Sequence, residues 1–304
     1  MQPSTFSIAA VDPFTGEVGV AVQSKFLSVG AVVPFARAGV GAIATQAFAN
    51  TTYGPKALRL LESGMSAADV SATLVSDDGG GEDRQFGIVA ATGSAATFTG
   101  TKCIVFAGGL TGENFAAQGN CLAGAPVVEA LAATFTLTGG RLADRLVAAL
   151  RAAQAAGGDK RGQQSAALLI EKSRGGYAGF NDRYVDLRVD DHTAPIEELA
   201  RLLELHKLYF FEAGRDDVLS IDAALGAELV RELARVGSLP AGETAFDDRA
   251  RAALVSFMHV ENLENRVRDD GCIDRQTLNY LRTAPSKAGH ASDYLGGAPS
   301  RLQA

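Results

Sequence analysis

The chain opens with two runs in which apolar side chains recur at every second position. Residues 6–10 and 18–22 each follow the period of two that is typical of strands, and the turn-forming run at 12–16 separates them. The two runs therefore predict a β-hairpin. A third strand is predicted at about 39–46, where small apolar residues follow one another as expected for a strand covered on both faces.

The next segment has its apolar residues at helical spacing. Leu58, Leu61, Met65 and Ala68 predict one helix, or two short ones, over about 54–75. The elements predicted after it are strand-like runs at 86–91, 95–99, 103–107 and 115–122, a helix around 142–153, a hairpin of 165–170 with 184–189, and a helix beginning near 196. Runs of strands separated by whole helices indicate stacked sheets with helices outside, rather than alternating βαβ units.

Strand signals end near residue 212, and charged amphipathic segments follow. Residues 257–267 carry an apolar stripe at helical spacing, and Asp274 is placed to cap the N-terminus of a last helix. We therefore expect a first domain at 1–212, a small all-α domain at 213–283, and a flexible tail at 284–304 that is rich in Ala, Gly, Pro and Ser.

Composition narrows the classes of function. Of 304 residues, 47% are hydrophobic and 21% are charged, which is an ordinary globular composition. The formal net charge of −7 leaves no basic surface for nucleic acid or an anionic membrane. No apolar run approaches the ~18 residues of a membrane span, and no export signal is visible. Three scattered cysteines fit a reducing compartment. We expect a cytoplasmic protein with no nucleic-acid or membrane partner.

The first 191 residues contain no histidine, although the chain has four. A Ser–His–Asp or Cys–His arrangement built within the first domain is therefore excluded. No Cys or His pair has zinc-site spacing, and the acidic run at 77–83 lacks calcium-loop spacing. We expect a solvated turn there, and no metal or other cofactor. Cys121 has no cation or His nearby in the sequence to activate a thiol, and Cys103 lies in the strand-like run at 103–107. We therefore expect both side chains to be buried and to pack as small hydrophobic residues.

Hydroxyl chemistry without histidine needs another base. When the nucleophile is the first residue of a chain, its own α-amine, with a pKa of about 7.7–8.0, accepts the hydroxyl proton. Thr5 stands at the start of the first predicted strand and is the candidate for this role. Residues 1–4 precede it, so this chemistry requires their removal.

Several strings resemble known families. Residues 5–8, 12–16 and 19–22 resemble the opening of N-terminal-nucleophile hydrolases. The strings GAVVPFARAGVGAIATQ at 30–46, GNCLAG at 119–124 and GGDKRGQQSAALL at 157–169 resemble the DUF1028 family, whose function the resemblance does not supply. Over roughly residues 5–205, the resemblance implies an α+β fold, namely a four-layer αββα sandwich.

The resemblance also implies catalytic roles. Thr5 matches the position of the nucleophile, and Asp159 matches an acidic partner that stands just before a strand. The lysine that normally activates the nucleophile would fall near residues 31–32, where the chain has no cation. Lys25 and Arg37 are the nearest substitutes. For each of these residues the alternative is an ordinary strand-end, turn or surface role.

Four further polar residues are candidates for binding. Arg161 lies in a glycine-containing turn, where its planar guanidinium would bind both oxygens of a substrate carboxylate, and Gln163 lies in the same turn. The amides of Gln46 and Asn120 are candidates to donate hydrogen bonds to a developing oxyanion. The alternatives are a surface charge for Arg161 and plain turn chemistry for Asn120.

The string ENLENRVRDDGCIDRQTLNYLR at 261–282 resembles a peptidoglycan-binding module. That resemblance implies that Glu261, Asn262 and Arg266 line a ligand face and that a peptidoglycan fragment is a partner. The alternative is a docked helical cap that contributes to a homo-oligomer such as a homodimer.

These observations lead to one main hypothesis and two alternatives. The main hypothesis is a small-molecule amide-bond hydrolase of the N-terminal-nucleophile type. The first alternative is a non-catalytic protein that binds a small ligand or a peptidoglycan fragment and keeps the sandwich fold. The second is catalysis without a free N-terminus, with Asp159 or a serine as base or nucleophile.

Overall fold

The computed structural model describes residues 5–214 and 217–286. Contacts between residues divide the chain into two compact units, Met1–Leu203 and Glu204–Ala304. The domain limits 1–212 and 213–283 stay predictions, and most of the expected tail at 284–304 lies outside the described residues.

Ten strands form the sheets of the described part of the first unit. They are β1 (Thr5–Asp12), β2 (Glu17–Ser24), β3 (Pro34–Arg37), β4 (Gly41–Ala47), β5 (Arg84–Ala90), β6 (Ala95–Thr99), β7 (Gly108–Gly112), β8 (Phe115–Asn120), β9 (Ser165–Glu171) and β10 (Arg183–Val189). One sheet has six strands in the order β10-β9-β2-β1-β8-β7, and the other has four in the order β3-β4-β5-β6. All neighbouring strands are antiparallel.

The two sheets face each other across a buried apolar layer. Ala9, Val11 and Val20 of the larger sheet belong to one cluster with Ala42 and Val89 of the smaller sheet. Alternate residues of each strand point to this layer, because successive side chains of a strand lie on opposite faces.

The other faces of the sheets are covered by helices. These helices are α1 (Tyr53–Glu62), α2 (Ala67–Ser76), α3 (Pro126–Leu137) and α4 (Leu142–Ala155), and a further helix, α5 (Pro195–Phe210), follows β10 along the chain. Helices α1 and α2 contact the four-stranded sheet, where Leu61 and Leu74 pack with Phe86 and Ile88, and α3 and α4 contact β1, β2 and β8. The predicted mixture of helices with antiparallel sheets is thus confirmed.

The strand predicted at 103–107 is wrong. The ladder starts only at Gly108, where β7 begins. The preceding segment runs past the end of β8, where Cys121 N–H donates to Ile104 O at 2.7 Å and Leu122 N–H donates to Phe106 O at 3.0 Å. Backbone hydrogen bonds therefore hold this segment at the end of β8, while its apolar side chains Ile104 and Val105 are 41% and 74% exposed and form no period-two ladder.

Helix α3 and strand β3 of the first unit were not predicted from the sequence. Helix α3 is apolar on nearly all sides, so it lacks the one-sided stripe that marks an amphipathic helix. Strand β3 has only four residues and lies at a sheet edge. The segment at 54–75 forms two helices, which separate at Gly64 with its φ of +92°.

The second unit contains α6 (Ala223–Arg235), α7 (Asp248–Val260) and α8 (Arg275–Thr283). It is not all-α, because β11 (Val218–Ser220) pairs with β12 (Cys272–Asp274). The predicted N-cap is confirmed, since Asp274 accepts a hydrogen bond of 3.0 Å from Thr277 N–H. The prediction of one apolar helical stripe over 257–267 is wrong, because α7 ends at Val260 and this residue is 63% exposed. In the described parts of the chain, no helix is both long and apolar enough to cross a membrane.

Candidate functional site

The antiparallel register gathers polar strand ends at one end of the paired sheets. In the six-stranded sheet, Thr5 lies opposite Ser24 on one side and opposite Asn120 on the other. In the four-stranded sheet, Gln46 lies opposite Gln85. We call the following buried side chains the polar cluster: Thr5, Ser7, Ser24, Gln46, Gln85, Gln118 and Asn120.

Burying this many polar groups is unfavourable unless they bond to one another. The rest of the layer between the sheets is apolar, as Val11, Val20 and Val89 show. The polar cluster is therefore a local departure from an apolar core, which makes it the candidate functional site of the first unit.

Two hydrogen bonds hold Thr5, one at its hydroxyl and one at its backbone carbonyl group. Its hydroxyl donates to Ser24 Oγ at 3.1 Å. Its carbonyl oxygen accepts from Gln46 Nε2 at 3.2 Å. Two residues further along β1, Ser7 donates to Gln46 Oε1 at 2.6 Å and accepts from Gln118 Nε2 at 2.7 Å. Thr5 and its neighbour across the sheets, Gln46, are thus one hydrogen-bonded group.

Gln85 joins the two sheets. Its Oε1 accepts from Gln46 Nε2 at 2.8 Å and from Asn120 Nδ2 at 2.9 Å. Its Nε2 donates to Gly119 O at 2.8 Å and to Thr99 Oγ1 at 2.9 Å. The carboxamide of Gln85 is therefore bonded at both ends.

This arrangement distinguishes the two predicted oxyanion donors. Gln46 uses its amide group for two bonds, to Thr5 O and to Gln85 Oε1. A primary amide has two hydrogens, so both are committed. Asn120 makes one such bond, to Gln85, and keeps one amide hydrogen that the structure assigns to no acceptor in the described residues. Asn120 is thus the better placed of the two to donate to a substrate.

Asp159 lies across the end of β1. Its backbone pairs with Leu122, which is two residues beyond Asn120. Its carboxylate accepts a hydrogen bond of 3.2 Å from the N–H of Lys25, the residue after Ser24. Asn120 and Ser24 flank Thr5. Asp159 is therefore held just beyond the ends of the two strands that neighbour β1.

Arg161 neutralises Asp159. Its Nε donates to Asp159 Oδ1 at 3.2 Å and its Nη2 donates to Oδ2 at 3.0 Å, which is a bidentate pair. The Asp159 side chain is fully buried, while that of Arg161 is 34% exposed. The guanidinium predicted to bind a substrate carboxylate is therefore already bound to a carboxylate of its own turn.

The remaining predicted residues lie at different distances from the polar cluster. Lys25 Nζ donates to the carbonyl oxygen of Gln163 at 3.3 Å, so both residues belong to the turn region near Asp159. Arg37 is not brought to the cluster. It lies opposite Gly41, five residues or about 16 Å along β4 from Gln46, and pairs with Glu62 at 2.6 Å.

Sequence reasoning missed Ser7, Ser24, Gln85 and Gln118. The available signal was a polar side chain at an inward position of an otherwise apolar strand, as Gln85 is in the run RQFGIVA. Cys121 and Cys103 are buried, as predicted, and burial raises the pKa of the Cys103 thiol.

The acidic run at 77–83 is not a simple solvated turn. Asp78 Oδ2 accepts from Arg84 Nε at 2.9 Å, from Tyr53 Oη at 2.9 Å and from Asn50 Nδ2 at 3.1 Å. The Arg84 hydrogen bond is the main reason why the pKa of Asp78 lies well below its usual range. Arg84 also donates to Phe48 O at 2.7 Å, so the hydrogen-bonded group around Asp78 holds the segment that follows Gln46. No group of three or more metal-ligating side chains occurs among the residues that the structure describes.

In the second unit, the side chain of Arg266 is committed to contacts within the unit. It is buried, and its Nη1 donates to Asp274 Oδ1 at 2.8 Å. Further guanidinium hydrogens reach the carbonyl oxygens of Lys207, Leu208 and Phe211 at the end of α5. The guanidinium of Arg266 thus acts as a structural anchor, and its role at a ligand surface stays a prediction.

The geometry defines the first unit as a mixed α/β protein with two facing antiparallel sheets and a polar cluster at one end of the layer between them. Residues 5–199 match the family described as "Family of unknown function (DUF1028)". The chain belongs to this family, as its sequence predicted. Residues 215–281 match the model described as "Putative peptidoglycan binding domain".

A solved structure agrees with this assignment. The crystal structure of protein SPO2555 from Silicibacter pomeroyi, a DUF1028 protein, is 32% identical, with a TM-score of 0.62. The match covers 68% of this chain and 91% of that one. No curated protein matches the chain.

Proposed function

We propose that the first unit is a small-molecule amide-bond hydrolase of the N-terminal-nucleophile type, built on a four-layer αββα sandwich. The observation that carries the proposal is the position of Thr5, flanked by Ser24 and Asn120 and faced at the end of its strand by Asp159. A nucleophile, an amide donor and a buried carboxylate at the start of one strand are the parts that this chemistry needs.

The reaction follows from those parts. Once the chain ahead of Thr5 is removed, the α-amine of Thr5 takes the proton of its own hydroxyl, and Oγ1 attacks the carbonyl carbon of the substrate amide. The free Nδ2 hydrogen of Asn120 stabilises the oxyanion of the tetrahedral intermediate. The protonated amine then gives its proton to the leaving nitrogen, and water hydrolyses the acyl ester on Thr5. Asp159 stabilises the ammonium form of the amine.

The experiment compares two forms of the protein. One is the full chain, and the other begins at Thr5 and is released from an N-terminal ubiquitin fusion. We expect the second form to hydrolyse members of a panel of acylated amino acids and small amides, and Thr5→Val to abolish the hydrolysis. Thr45→Val is the matched control, because Thr45 is an equally buried strand threonine outside the polar cluster. Activity that survives Thr5→Val would contradict the proposal.

A second candidate function is ligand binding without catalysis. It is favoured by the complete burial of Thr5 and by the pairing of Asp159 with Arg161. Melting-temperature shifts with small amides, without turnover in either form of the chain, would support it.

The second unit contributes a separate proposal. We infer that residues 213–283 bind a peptidoglycan fragment, on the basis of the family match at 215–281. Calorimetric titration of the full chain with soluble muropeptides tests this, and the absence of heat at millimolar ligand would contradict it. The cytoplasmic location and the homo-oligomeric state stay predictions.

A further inference from the structure

The direction of the hydrogen bonds in the polar cluster is set by backbone carbonyl groups. Gly119 O lies 2.8 Å and Gly108 O lies 3.3 Å from Gln85 Nε2. A carbonyl oxygen only accepts, so the nitrogen of the Gln85 carboxamide must face both. The two ends of this carboxamide are therefore not interchangeable.

This orientation determines the amides around Gln85. Its Oε1 faces away from the two carbonyl groups and accepts from Asn120 Nδ2 and from Gln46 Nε2. Asn120 must in turn present its nitrogen to Gln85, which leaves its second amide hydrogen for another acceptor. Since Gln85 lies on β5 and Asn120 on β8, the bond that orients Asn120 crosses from one sheet to the other.

We propose that Gln85 is a positioning residue of the site, which holds the Asn120 amide so that an Nδ2 hydrogen is directed to the carbonyl oxygen of the substrate amide. This inference rests on the proposed function. Gln85 does not touch the reacting atoms. It acts through Asn120, and the same oxygen also fixes Gln46, which holds the carbonyl group of Thr5.

The substitution Gln85→Glu gives a readout of the orientation that does not depend on a substrate. The carboxylate that it introduces has no hydrogen to donate, so it would place an anionic oxygen against the carbonyl oxygens of Gly119 and Gly108. The side chains bonded to Gln85, from Gln46, Thr99 and Asn120, are uncharged and cannot neutralise the carboxylate. The neutral acid has one O–H hydrogen and restores one of the two donors of the amide.

The pH dependence of Gln85→Glu follows from this. The pKa of the new carboxyl in the folded chain is expected to lie above its unfolded value of about 4.3. The unfolded chain then releases its proton first as the pH rises, so the variant loses stability between about pH 4 and its folded-state pKa. We expect Gln85→Glu to melt close to wild type at pH 4.5 and well below it at pH 8.

The functional test measures acylation of Thr5 by a small β-lactone in the chain that begins at Thr5. Rates are followed by intact mass spectrometry for wild type, Gln85→Met and Gln23→Met. Gln85→Met keeps the side-chain volume but removes the bonds to Asn120 and Gln46, and we expect it to react roughly 10- to 100-fold more slowly. Gln23→Met replaces a buried glutamine of β2 that is outside the polar cluster, and it should react at the wild-type rate.

The outcomes separate this inference from the function on which it rests. Equal rates for wild type and Gln85→Met would overturn the inference alone. No reaction of the wild-type chain would overturn the proposed function and, with it, this role of Gln85. A pH-independent melting difference between Gln85→Glu and wild type would overturn the assigned orientation of the Gln85 carboxamide.

Discussion

Replacing Arg266 with methionine is expected to lower the free energy of unfolding of the second unit by about 3–5 kcal/mol, the cost of breaking a buried ion pair. The side chains of Arg266 and Asp274 are only 3% and 2% exposed. The substitution leaves the Asp274 carboxylate buried without its counter-ion. It also removes the donor that three carbonyl oxygens at the end of α5 share.

Part of the Asp274 environment survives the substitution. Thr277 still donates to the carboxylate through its backbone N–H at 3.0 Å and its hydroxyl at 2.6 Å. These two bonds stabilise the charged form, so the loss stays within the stated range. Because a domain is stable by only about 5–15 kcal/mol, this change is a large share of the total.

Hydrogen–deuterium exchange of the full chain measures the effect within one unit. Amides of α6 and α8 should exchange roughly 10²- to 10⁴-fold faster in Arg266→Met, while amides of β1 and β2 keep their rates. Arg268→Met is the matched control, because Arg268 pairs with the exposed Asp270, and the loss of such a surface ion pair should leave stability nearly unchanged. Equal protection of α6 and α8 in Arg266→Met and Arg268→Met would refute the anchoring role of Arg266.

Three further predictions concern the first unit. Gly87→Ala should destabilise the first unit by about 2–4 kcal/mol in urea denaturation, because a Cβ at this position would lie 1.8 Å from Gln118 Oε1. The control Gly79→Ala should be nearly neutral, because its Cβ would meet no atom within 4 Å. Folding lowers the pKa of Asp78, so this carboxylate should contribute stability that is lost as the pH falls below about 4. The free energy of unfolding should therefore decrease less steeply with falling pH in Asp78→Asn than in wild type. An unchanged slope would contradict this. Gln23→Met should stabilise the unit by about 1 kcal/mol, because the buried Gln23 amide has no hydrogen-bond partner among the described residues. A melting temperature below that of wild type would contradict this.

The sequence was sufficient for the elements that carry a regular pattern. The hairpin of β1 and β2, the helices of the first unit other than α3, and the cap at Asp274 follow from period-two alternation, helical spacing and capping chemistry. Helix α3 and the segment at 103–107 were not predicted correctly, because α3 carries few polar residues opposite its buried face, and the apolar residues at 103–107 belong to no ladder.

The candidate site was only partly predictable. Thr5 and Asn120 are 115 positions apart, and a register that places them opposite each other is a tertiary fact. Family strings indicated both residues, but no local pattern showed that Gln85 of the other sheet would orient Asn120. The pairing of Arg161 with Asp159 was also invisible, because two charges in one turn are equally compatible with a solvated loop.

The role of Thr5 as nucleophile is tested most directly by mass spectrometry of the protein after reaction with a β-lactone. The chain that begins at Thr5 should gain a single adduct, located on Thr5 in the N-terminal peptide, and both the chain that retains residues 1–4 and the Thr5→Val variant should gain none. An adduct of equal yield on Thr5→Val, or no adduct on the chain that begins at Thr5, would contradict the assignment.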